Sequence, residues 1–169
     1  MPSPQSTKRR RRSGDETDPI VVGIDHSDSA KAALRFALDE ARLRQTTLRV
    51  VHAWQFGYVG TRDIEGVYPV FGANLSELHR AAQAALEATL AEAVPDTAEV
   101  EIERRVVEGT PATVLAEESR DAGLLVVGSR GHGGLAGVLL GSVSQQVAHH
   151  ASCPVVIVHR EPRRSLDGR

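Results

Sequence analysis

Leu124-Leu-Val-Val-Gly128-Ser-Arg-Gly131-His-Gly-Gly-Leu-Ala-Gly137-Val-Leu-Leu-Gly141-Ser142 is the stretch on which the reading of this chain turns. Residues 124–127 are a short aliphatic run without charge, the mark of a strand buried on both faces. A glycine-rich loop follows and feeds a short helix expected over 142–151. Glycines there allow positive φ and let backbone N–H groups come close to an anion. The start of the helix adds unpaired amides and the positive end of its dipole, a setting that favours phosphate. Ser142 and Ser144 bring hydroxyl donors, and Arg130 and His132 are within reach from the loop. A purely structural loop is the competing reading, with Ser142 and Gln145 forming an S-x-x-Q capping box.

Working outward, strand and helix signals alternate. Residues 20–24 form a β-branched run ending in Asp25, read as a buried strand. Ala30, Ala33, Leu34, Ala37, Leu38 and Ala41 recur at helical spacing, with Ser27 and Ser29 as cap candidates. Residues 46–54 make a second strand. Leu78, Ala82, Ala85, Leu86 and Leu90 mark a helix that stops before Pro95. Residues 98–107 alternate apolar and charged types, as a strand with one wet face does. Thr110 and Pro111 open a third helix as cap and first-turn residue. Residues 155–159 give the last strand. Strands regularly separated by helices imply right-handed crossovers and a mainly parallel sheet covered on both faces. Ligands in such sheets bind beyond the carboxyl ends of strands, where strand order reverses. Asp25, Ala53, the 107–109 region and Gly128 are therefore the places to look.

Familiar phosphate motifs fail. No G-x-x-x-x-G-K-[ST] occurs, and the only lysines are Lys8 and Lys31, so a P-loop is excluded. G-x-G-x-x-A occurs at 131–136, but it follows the fourth strand and lacks a downstream acid for a ribose. The segment is no G-x-S-x-G nucleophile elbow either.

The chain has 169 residues, 41% hydrophobic and 25% charged, which fits one soluble domain with a real core. A net charge of −2 gives no general attraction to nucleic acid or membrane. No apolar run reaches membrane-spanning length. One cysteine, Cys153, excludes an intrachain disulfide and suits a reducing compartment, so a cytoplasmic location is expected. Residues 1–18 are a polar leader with a basic block bounded by Lys8 and Arg12, then acidic residues; disorder is expected. The basic block is either solvated or in weak contact with nucleic acid or an acidic partner. Residues 161–169 read as a flexible tail, leaving 19–160 as the domain.

The spacing G-x2-G-x9-G-[ST], carried by Gly128, Gly131, Gly141 and Ser142, resembles the signature of ATP-binding universal stress proteins. Residues 21–27 resemble that family's first strand and turn, 48–53 its second strand, and 151–158 its closing strand. The resemblance implies a three-layer, adenine nucleotide α-hydrolase-like fold, with a five-stranded parallel sheet of order 3-2-1-4-5 and ATP at its carboxyl edge. It implies that Asp25 contacts ribose or the phosphate–metal region, that Ala53 holds adenine through its backbone, and that Val127 borders the base. Gly128 and Gly131 would line ribose and phosphates, while Gly141, Ser142, Val143 and Ser144 would donate to phosphates. Mg2+ or Mn2+ accompanies the nucleotide in such sites. Homodimerisation through the last strand, around 155–158, is also implied, and an unpaired apolar edge there independently asks for cover. Ala53 is smaller than the valine often found at its position, and the basic leader lies outside the family pattern.

Several residues carry open alternatives. Asp25 serves either the ligand or a helix N-terminus. His149 and His150 suit the negative end of the last helix rather than a metal. His52 reads as packed or hydrogen-bonded on its strand, and His26 as an exposed turn residue. Cys153, beside Pro154, reads as a small buried residue, not a nucleophile. The loop at 55–73 and the strand end before it gather Trp54, Phe56, Tyr58, Tyr68 and Phe71, either a lid or partner surface, or a cluster packed on its own domain. The resemblance implies a non-catalytic nucleotide-responsive stress module. The alternatives are a slow ATPase or phosphoryl-transfer enzyme, for which no base is evident, and an interaction protein independent of nucleotide.

Overall fold

Ile20, Val21 and Val22 have no exposed surface, and the reason is position: they form the middle strand of the sheet. A computed structural model describes residues 18–55, 74–95, 99–131 and 140–159. Along the chain come β1 (Ile20–Gly23), α1 (Asp28–Arg44), β2 (Leu48–Trp54), α2 (Leu75–Ala93), β3 (Ile102–Glu108), α3 (Pro111–Glu118), β4 (Leu124–Gly128), α4 (Ser142–His150) and β5 (Val155–Val158). A 3-10 turn at Ser119–Asp121, which the sequence did not announce, links α3 to β4.

The strands pair in the order β3-β2-β1-β4-β5, all in parallel, as expected. Side chains alternate between the faces of the sheet, and this sorts the core into two layers. On one face Ile20, Val22, Leu48, Val50 and Val126 pack against Ala33, Leu34, Ala37 and Leu38 of α1 and Leu86 and Leu90 of α2. On the other, Val21, Val51, Leu125 and Val127 meet Val114 and Leu115 of α3 and Val147 of α4. The architecture is α/β/α. Each fully buried Val, Leu or Ile contributes about 1.5–3 kcal/mol of transfer free energy. Chain order reverses at β1, which has β2 on one side and β4 on the other. That leaves a crevice at their carboxyl ends.

The ends of α1 follow local chemistry. Ser27 is its N-cap, with Oγ accepting from Ala30 N–H at 3.1 Å, and Gln45 closes it in the left-handed region at φ 53°. Thr110 and Pro111 open α3 as expected, although the Thr110 hydroxyl turns to Thr113 Oγ1 at 2.7 Å instead of capping. The observed β3 departs from a strand with one wet face. Arg104 reaches Glu87 of α2 while Glu103 and Arg105 lie on the α3 side, so charge stands on both faces. Leader residues 1–17, the tail, Phe56, Tyr58, Tyr68 and Phe71 lie outside the described residues.

Candidate functional site

A cleft of about 380 Å3 opens at the carboxyl edge of the sheet, within the range of small-ligand sites. Apart from the 107–109 region, every sequence-derived candidate among the described residues lines it. Asp25 follows β1, Ala53 belongs to β2, and Val127 and Gly128 end β4. Arg130 and Gly131 begin the loop, while Gly141, Ser142, Val143 and Ser144 return at the start of α4. His132 lies outside the described residues. Of the region 107–109, no residue is among those lining the cleft.

The sequence reading missed the apolar wall. Ile24, Ala30, Val51, Pro111 and Leu115 also border the cleft. Its signal was Gly23: a Cβ there would stand 2.6 Å from Leu115 Cδ1, so the absent side chain is what lets α3 lean over β1.

Asp25 is held by the turn after β1. Ser27 donates to Asp25 Oδ1 from its backbone N–H at 3.1 Å and from its hydroxyl at 2.6 Å. Asp25 Oδ2 lies against Gly131, where an added Cβ would come within 2.6 Å of it. Glycine at 131 is thus a close-approach requirement between loop and carboxylate. The backbone at His26 turns through φ 67°, and its Nδ1 pairs with Thr89 Oγ1 at 2.9 Å. His52 Nδ1 lies 3.1 Å from the Ile24 carbonyl oxygen, so His52 is engaged on its strand as expected.

The loop closes on itself before α4 begins. Gly141 N–H donates to the Ser129 carbonyl at 2.7 Å, and Ser129 N–H donates to that of Val158 at 2.8 Å. Two expectations fail here. The N-cap is Gly141 and not Ser142, with no side-chain cap bond, so the S-x-x-Q capping box does not form. Gln145 Nε2 instead reaches the Leu140 carbonyl at 3.3 Å. The Ser144 hydroxyl is buried and directed at the carbonyls of Ser129 and Gly141, at 3.1 and 2.9 Å, so it is no donor to the cleft. What the helix start presents is backbone: among the described residues nothing accepts from the amides of Ser142, Val143 and Ser144. Ser142 itself is exposed and keeps a hydroxyl beside them.

Neither cysteine nor metal chemistry finds a centre in the described residues. No group of three His, Cys, Asp or Glu residues there is arranged to hold a metal. Cys153 is half-buried rather than buried, and burial pushes its thiol pKa up, which disfavours the thiolate. Trp54 stands on the α2 side of β2, edge-on to His79 with ring centroids 5.9 Å apart, and is not among the cleft residues.

Residues 16–159 match the profile of the universal stress protein family. A universal stress protein of Mycolicibacterium smegmatis is 40% identical over 143 residues, covering 83% of this chain and 45% of that protein. The chain spans about half the length of the curated relatives it matches. A crystal structure of a universal stress protein in complex with cAMP is 30% identical, with a TM-score of 0.54 over 86% of this chain and 99% of that one. The universal stress protein from Archaeoglobus fulgidus in complex with dAMP is 26% identical, with a TM-score of 0.50 over 84% of this chain and 98% of that one.

Proposed function

Because the chain belongs to the universal stress protein family, we propose that it is a cytoplasmic, nucleotide-responsive module of the stress response whose ligand is ATP. The observation that carries this reading is the pairing, in one cleft, of an apolar wall with the first-turn amides of α4. A purine fits between the wall residues Val51, Val127 and Leu115, with the Ala53 backbone at its edge. Phosphates fit where Gly131, Ser142, Val143 and Ser144 turn backbone N–H groups and a helix dipole toward them. Asp25 suits a ribose hydroxyl or a divalent ion.

The two solved relatives named with cAMP and dAMP support an adenine nucleotide as the ligand class. Asp25 is the one carboxylate among the described lining residues, so Mg2+ or Mn2+ would be held by phosphate oxygens with Asp25 as its protein ligand. The ion would supply charge neutralisation of the phosphates. Residues 19–160 act as one domain in this reading. Among the described residues no helix is long and apolar enough to cross a membrane.

Denaturing the purified protein and identifying any released nucleotide is the first test. Released ATP, or micromolar binding of added ATP with magnesium, is the expected result. A protein that arrives empty and binds neither ATP, AMP nor cAMP refutes the reading.

A further inference from the structure

Ser29 is a buried hydroxyl to which the nucleotide reading gives no role. It is 5% exposed, in the first turn of α1, and its Oγ donates to the carbonyl of Arg130. Ser27 Oγ also lies 3.3 Å from that oxygen, but it is 2.6 Å from Asp25 Oδ1. A hydroxyl has one proton to give, and the shorter bond, to the Asp25 side chain, takes it. Ser29 is therefore the side chain that holds the Arg130 carbonyl.

The consequence is geometric. Across a planar trans peptide, a carbonyl and the following N–H point in opposite directions. With the Arg130 carbonyl engaged by Ser29, the N–H of Gly131 points away from that hydroxyl, and both residues of this peptide border the cleft. Gly128 makes the contact possible. A Cβ at 128 would stand 2.6 Å from Ser29 Oγ and 2.8 Å from the Ser29 carbonyl carbon, so only glycine lets the end of β4 approach α1 this closely.

We infer that Ser29 is a positioning residue for the nucleotide phosphate. It does not touch the ligand; it fixes the Arg130–Gly131 peptide so that the Gly131 amide donates to a phosphate oxygen. This rests on the nucleotide reading above and extends it to a residue outside the cleft lining. Its effect must scale with phosphate and vanish for a nucleoside, which separates positioning from a general contribution to folding.

The test titrates the full chain and Ser29→Ala with adenosine and with ATP plus Mg2+, alongside thermal melts. Ser29→Ala is expected to weaken ATP binding about fivefold, the size of one net hydrogen bond, while adenosine affinity stays within about twofold. Ser29→Thr, which keeps the hydroxyl, restores the ratio of the two affinities. Should the alanine variant be unstable, Ser29→Cys offers a weak donor of similar size and is expected to show the same selective loss. An equal loss for both ligands, or unchanged ATP binding, overturns the assignment while leaving the nucleotide site in place. A wild-type protein that binds neither ligand removes the nucleotide reading, and this proposal with it, before any variant is compared.

Discussion

At the residue scale, three glycines of one motif do three different jobs, and each job predicts a different substitution phenotype. Gly128 meets backbone: a Cβ would lie 2.8 Å from the Ser29 carbonyl carbon and 2.9 Å from Ala30 N. Backbone cannot swing aside, so Gly128→Ala is expected to cost about 1–3 kcal/mol of stability, read as a lower denaturant midpoint. Among the described residues Gly131 meets only the carboxylate of Asp25, at 2.6 Å, which a rotation relieves. Gly131→Ala is therefore expected to keep most of the stability and lose nucleotide affinity by displacing Asp25. Gly141 has an ordinary φ of −72°, and its nearest contacts would be 3.4 Å away. Gly141→Ala meets no steric conflict but puts alanine at the N-cap of α4, so it is expected to cost no more than about 1 kcal/mol. A ranking in which Gly141→Ala is the most destabilising of the three contradicts these contacts. The sequence showed that these positions are glycine, and the family spacing pointed to a shared purpose. It did not show which neighbour each glycine admits, because Ser29 and Asp25 lie some hundred residues away in the chain.

At the scale of elements, the order of strands and helices was legible because periodicity and caps agree. Ser27 before the α1 pattern and Pro111 after Thr110 both mark true starts. The start of α4 was misread in its chemistry though not in its place: Ser142 and Gln145 have capping-box spacing, but the loop bond from Gly141 to Ser129 makes residue 141 the cap. Tertiary closure of the loop overrode a local preference. The charges of β3 were misread as a solvated face for a similar reason, since their partners come from other elements. Arg49 of β2, with 12% of its side chain exposed, binds Glu103 at 2.7 Å, Asp121 at 3.1 Å and Glu118 at 3.2 Å, and Arg105 reaches Glu118 at 3.0 Å. Burial disfavours the Arg49 charge, yet these bonds outweigh it and its pKa is raised. The hydrogen bond from Arg49 holds the Glu103 carboxyl below its ordinary pKa, against an opposing effect of burial. A carboxylate whose folded pKa is depressed contributes stability above its unfolded pKa and loses it as pH falls through the folded value. Stability measured by denaturant from pH 7 to pH 3 is thus expected to fall more steeply in the wild type than in Glu103→Gln. Parallel curves would mean that the Arg49 contact contributes nothing in solution.

At the scale of the whole molecule, the two edges of the sheet are built differently, and the difference bears on assembly. The β3 edge carries Glu103, Arg104, Arg105 and Glu108, a charged border of the kind that discourages strand addition. The β5 edge is Val-Val-Ile-Val, each residue half-exposed and none charged. Leu125 and Ser129 donate to the carbonyls of Pro154 and Val158, so in a parallel ladder the alternate residues Val155 and Ile157 turn their N–H and C=O groups outward. A second copy of the chain pairing on this edge would cover both the outward-facing backbone groups and the valines. Because Ser129 joins β5 to the glycine loop, such a dimer would also lie one hydrogen bond from the proposed phosphate site. Ile157→Pro removes an outward donor while leaving the bonds to β4 possible, a place where an edge strand tolerates proline. Ile157→Val controls for the lost packing, since Ile157 also lies against the α3 and α4 layer of the core. Sedimentation is expected to give a dimer for the wild type and for Ile157→Val, and a folded monomer for Ile157→Pro. If the wild type sediments as a monomer, the apolar edge is left to another partner. If Ile157→Pro stays dimeric with its strand content intact, the dimer forms elsewhere on the surface.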